Sequence, residues 1–118
     1  MFDLNGLQAE INELKAQTLS QYGKKIEFAI EMIQQKSSLL KREQNILLRL
    51  QNREKFKKGL FAEKRRNLLI DRVSRKIERL KNDIKRLEEL KVKYIEDYKK
   101  QREFLGLYDH QFIDNFYD

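Results

Sequence analysis

Cysteine, proline and tryptophan are absent, glycine occurs only 4 times, and there is a single histidine, His110, in a chain of 118 residues. Without cysteine there is no disulfide framework and no thiolate to bind zinc or act as a nucleophile. So little glycine and no proline cannot supply the closely spaced turns of a sandwich or barrel. No apolar run approaches the roughly 20 residues needed to cross a bilayer. The opening MFDLNGLQAE carries acids where a signal peptide has a basic region and an apolar stretch. A cytoplasmic protein without membrane insertion is expected, and the missing thiols are compatible with a reducing compartment. There is no glycine-rich phosphate loop and no serine elbow. The carboxylates Glu88-Glu89 and Glu96-Asp97 sit beside lysines four residues on, as Glu89 with Lys93 and Glu96 with Lys100, which is how exposed helices are stabilised. His110 reads as an exposed side chain near a frayed terminus. No catalytic residue, cofactor or metal site is expected, and the chain reads as a non-enzyme.

What is abundant is charge, 38% of residues. That content suits a disordered chain, but Leu, Ile, Val and Phe recur with a strict period and oppose that reading. From Ile70 the apolar residues step by three and four through Val73, Ile77, Leu80, Ile84, Leu87, Tyr94, Tyr98, Leu105, Tyr108 and Phe112, interrupted only by Lys91 and Gln101. This is a coiled-coil seam. Upstream, Leu4, Leu7, Ile11 and Leu14 are followed, after a slip of five, by Leu19, Tyr22, Ile26, Ala29, Ile33, Leu40, Leu47 and Leu50. Such a slip locally unwinds a supercoil without ending the helix. Phe28, Met32, Leu39, Ile46 and Leu48 add a second stripe, an arc wide enough for a further partner.

Between the two patterns lies KFKKGLFAEKRR, whose Gly59, preceded by lysines, reads as a helix C-terminal stop. The fold class expected is all-α: a long antiparallel helical hairpin forming one domain over 1–118. Helix 1 covers about 4–56, a basic turn 57–61, helix 2 about 62–107 and an aromatic tail 108–118. Helix 1 is expected to continue through Gly23 and Ser37-Ser38, a break at either giving a three-helix bundle instead. Ile at 70, 77 and 84 with Leu at 80 and 87 also suits a parallel dimer, so monomer and homodimer both stay open.

The formal charge is +7, and it is concentrated. The segment 41–66 has ten basic and three acidic residues, whereas the flanks are nearly neutral. A hairpin would gather Arg49, Arg53, Lys55, Lys57, Lys58, Lys64, Arg65 and Arg66 at one tip, interleaved with Phe56, Leu60 and Phe61. Such a tip suits an acidic protein surface or a phosphate backbone; the alternative is a solvated turn. Seven of the 12 aromatic residues fall in the last 25 positions. They read either as core filling the open end against Phe2, Leu4 and Leu7, or as a docking face of Phe112, Ile113, Phe116 and Tyr117.

The stretch from KKGLFAEKRR through the heptad helix to EFLGLYDHQFIDNF resembles the FliJ-like family of flagellar and type III secretion export components. Leu105, Tyr108, Ile113 and Phe116, after the basic YKKQR, are arranged comparably to that family's Leu, Leu, Leu and Phe. The resemblance implies a stalk that enters the pore of a hexameric export ATPase, touches the export gate and escorts chaperones. The competing reading is a nucleic-acid-associated coiled coil gripping phosphates through its basic tip.

Overall fold

The computed structural model describes residues 4–52, 59–108 and 110–117, and for Leu60 and Phe112 the backbone only. The fold is all-α, two long helices packed as a hairpin. α1 is Leu4–Asn52, α2 is Leu60–Phe104 and a short α3 is Gln111–Tyr117. α1 runs unbroken through Gly23 and Ser37-Ser38. No described helix is long and apolar enough to cross a membrane.

The helix ends have local causes. Gly59 is the N-cap of the second helix: its carbonyl accepts the Glu63 amide at 3.1 Å, and glycine is well tolerated at an N-cap; the stretch that joins it to the first helix lies outside the described residues. Leu60 and Phe61, expected in the turn, therefore belong to α2, while 57 and 58 lie outside the described residues. α2 ends at Phe104, three residues before the expected boundary. Gly106 has φ 86°, the Leu107 amide donates to the Arg102 carbonyl at 2.7 Å, and the Gly106 amide donates to Glu103 at 2.9 Å. This is a Schellman cap, which requires the left-handed residue that glycine supplies. The seam accordingly breaks at Leu105, and Tyr108 is 75% exposed.

The chain forms two compact units. One comprises Met1–Glu31 with Glu88–Asp118, the other Met32–Leu87. In the first, α1 and α2 run antiparallel, with Tyr22 stacked on Tyr98, and α3 folds back onto them. Its core is Ile26, Tyr98, Ile113 and Tyr117, ringed by Leu19, Tyr22, Ile30, Tyr94 and Ile95. In the second unit α1 and α2 also run antiparallel, and Ile77 and Leu80 are its buried apolar side chains among the described residues. Ile33, Leu40, Leu47, Ile70, Val73, Ile84 and Leu87 are half-buried, as two helices alone cannot enclose a seam.

Candidate functional site

The basic segment falls in the second unit. Arg49, in the last turn of α1, is exposed, as are Lys64 and Arg65 on α2, while Arg66 is half-buried. Arg53, Lys55, Phe56, Lys57 and Lys58, and the Leu60 side chain, lie outside the described residues. Phe61 is 77% exposed and Leu68 69%. Steps of four and three from Phe61 reach Arg65, Leu68, Arg72, Arg75 and Arg79, all exposed, so a single outward face of α2 sets two apolar groups among four cationic ones. A shallow depression lined by Ser74, Arg75, Glu78 and Arg79 lies on the same stripe. Over 60–79 there are seven basic and three acidic residues. The sequence reading found Arg65 but stopped short of Arg72, Arg75 and Arg79, although their spacing from Phe61 is legible.

Two ion pairs cross between the helices of this unit. Lys76 Nζ lies 2.9 Å from Glu43 Oε1, and Lys36 Nζ 3.6 Å from Asp83 Oδ2. Glu43 is 6% exposed overall; it occupies a seam position, and Lys76, half in solvent, compensates a carboxylate that would be costly to bury alone. Lys36 and Glu43 fill the two gaps in the apolar spacing of α1, between Ile33 and Leu40 and between Leu40 and Leu47. Those gaps were the available signal. The second stripe of α1 stays open in both units, with Phe28 61% and Leu48 55% exposed.

The aromatic residues of the first unit are arranged differently from the docking face expected. Ile113 is wholly buried and Tyr117 is 8% exposed, so both are core and unavailable to a partner. Phe116 is exposed, and the Phe112 side chain lies outside the described residues. The cause is the turn at Gly106, which sends α3 back along the hairpin. Isoleucine and tyrosine four residues apart on α3 then share its inward face. Nor do these residues pack on Leu4, which is 69% exposed. They cover α1 near Ile26.

Tyr22 and Tyr98 stack with centroids 6.3 Å apart and planes 9° from parallel. Tyr117 meets Tyr98 edge-on at 6.4 Å and Phe116 at 5.1 Å, geometries that ring quadrupoles favour. The Tyr117 hydroxyl reaches α1 at Gly23, where a Cβ would stand 3.3 Å from it. The glycine that looked like a flaw in a helix makes room for this ring. Burial raises the Tyr117 phenol above its ordinary pKa of 10.0, and Tyr98 and Glu27 push the same way. Outside the rings, Lys99 pairs with Asp114, and His110 Nε2 lies 2.9 Å from Glu103 Oε1. His110 is therefore half-buried and engaged rather than free in solvent, and its carbonyl accepts the Ile113 amide at the start of α3. Lys25 lies over the Tyr22 ring at 5.6 Å.

Chemically, this arrangement offers contact surfaces. Among the described residues no group of three or more His, Asp or Glu side chains is placed to hold a metal ion. No family model, curated protein or solved structure matches the chain.

Proposed function

We propose that this protein is a non-catalytic, cytoplasmic helical-hairpin adaptor that docks an acidic protein surface through the outward face of α2 in its second unit. The observation that carries this reading is the exposed stripe of Phe61, Arg65, Leu68, Arg72 and Arg75. Apolar side chains set among arginines suit protein contact, since desolvated rings and leucines supply affinity while the cations select an acidic partner. Arginine also pairs with carboxylates in bidentate geometry. In the particular form implied by the FliJ-like resemblance, the partner is an export ATPase ring, with the export gate and chaperones as further contacts.

The test is stimulation of a purified export ATPase by the full chain. Wild type raises turnover, and reversal of Arg65, Arg72 and Arg75 to Glu abolishes the effect while circular dichroism stays unchanged. Equal stimulation by the reversed variant sinks the docking surface. A second reading rests on the charge concentrated in 41–66. Binding to unrelated duplex DNA that falls steeply with salt favours that phosphate-binding reading instead.

A further inference from the structure

The beginning of α1 carries an apolar seam whose side chains remain exposed. Tyr22 stacks on Tyr98, so in this antiparallel pair Phe104, the last residue of α2 and six beyond Tyr98, stands level with Ala16, six before Tyr22. From Leu4 to Lys15, α1 runs on past the end of α2. Along this stretch Leu4, Leu7, Ile11 and Leu14 follow one another at three, four and three residues and are 69%, 39%, 37% and 62% exposed. They occupy heptad positions a, d, a and d. The flanking e positions are Gln8 and Lys15, and the g positions are Glu10 and Gln17. A stripe limited to a and d has the width of a seam for one partner helix, unlike the broad arc that α1 shows further on.

We propose that the occupant of this seam is a second copy of the same segment, lying parallel and in register. The charges select it. In a parallel two-stranded coil, each g residue faces the e residue of the following heptad on the other helix. Glu10 of each copy therefore meets Lys15 of the other, twice by symmetry. Neither residue makes an ion pair among the described residues; Glu10 is exposed and Lys15 half-buried, and both charges are open to pairing. An antiparallel arrangement would match the apolar layers equally well, Leu4 on Leu14 and Leu7 on Ile11, but it faces g with g and sets Glu10 against Glu10. Isoleucine at an a position with leucine at both d positions also suits two strands rather than more. Two heptads make a short seam, so association depends on concentration.

Sedimentation equilibrium on the full chain, from about 1 μM to about 1 mM, reads the outcome. The mass rises with concentration from 14.4 kDa toward twice that value. Ile11→Lys stays at the monomer mass throughout with unchanged helical circular dichroism, because the residue lies beyond the packed part of the hairpin. Glu10→Lys weakens association by about tenfold or more, and adding Lys15→Glu to it restores association. Leu14→Cys introduces the chain's sole thiol, and on oxidation it gives a covalent dimer, since paired d positions in parallel helices lie within disulfide reach. A chain that remains monomeric over the whole range overturns the proposal, as does a dimer that survives Ile11→Lys. A dimer that fails to crosslink through Leu14→Cys and tightens with Glu10→Gln is antiparallel, and overturns it too.

Discussion

The two units are made from the same pair of helices, yet one is closed and the other open. In the first, α3 lies over α1 and α2 and buries Ile26 and Ile113 completely. In the second there is no third helix among the described residues, the apolar seam is mostly half-buried, and cross-helix ion pairs stand at seam positions. A third helix makes the difference between a core and a seam. Two helices expose one side of every contact, so register there depends more on charge, and the outward arginines and leucines stay accessible.

The strongest way to break the contrast is to empty the closed unit. Ile113→Ala is expected to cost about 2–5 kcal/mol, the range for truncating a fully buried isoleucine. Chemical denaturation followed by tyrosine fluorescence reads that loss. The same truncation at Ile70, half-buried in the open unit, is expected to cost less than half as much. Equal losses would mean that the units do not differ in packing.

In the open unit, Lys76→Met removes the cation beside a Glu43 that is 6% exposed. Partial exposure of the lysine screens the pair, so the expected loss in a urea melt is about 1 kcal/mol. Glu43→Leu, which completes the apolar seam instead, is expected to be neutral or stabilising.

Gly23 sharpens the comparison on the closed side. An interior glycine in a helix costs about 1 kcal/mol relative to alanine, yet the added methyl here meets the Tyr117 hydroxyl. Gly23→Ala is expected to yield less than that full gain in the wild type, and the full gain in a Tyr117→Phe background. The double-mutant cycle measures the difference.

The smallest effect is one of pH. Because the folded Tyr117 has a raised pKa, the unfolded chain loses this proton first once pH passes 10. The contribution is fully present below pH 10 and declines as pH climbs toward the raised folded value. Thermal melts are expected to show a steeper decline above pH 10 for wild type than for Tyr117→Phe.

Much of this architecture was legible in the sequence, for physical reasons that also mark the boundary. The steps from Ile70 to Leu105 specify a helix face because only a 3.6-residue period repeats so, and Ile77 and Leu80 are buried as that face requires. An end of the second helix near residue 107 was legible, but what the chain does beyond it was not. Local spacing shows that Ile113 and Tyr117 share a face of α3, not whether the chain turns that face inward or presents it to a partner. Gly23 likewise has no meaning until Tyr117 arrives from the far end of the sequence. The cationic stripe was partly legible through Arg65. Its continuation through Arg72 and Arg75 is hidden in the linear sequence because net charge marks dense runs, whereas a helix surface collects residues spaced by three and four.

Native-state hydrogen exchange on the full chain is the most direct test of the closed and open division. Amides around Ile26, around Tyr98 and within α3 at Ile113 are expected to exchange together and slowest, with those from Phe61 to Arg75 exchanging markedly faster. If α3 exchanges at once while 61–75 is the most protected segment, the assignment of which unit is sealed and which is free to bind is contradicted.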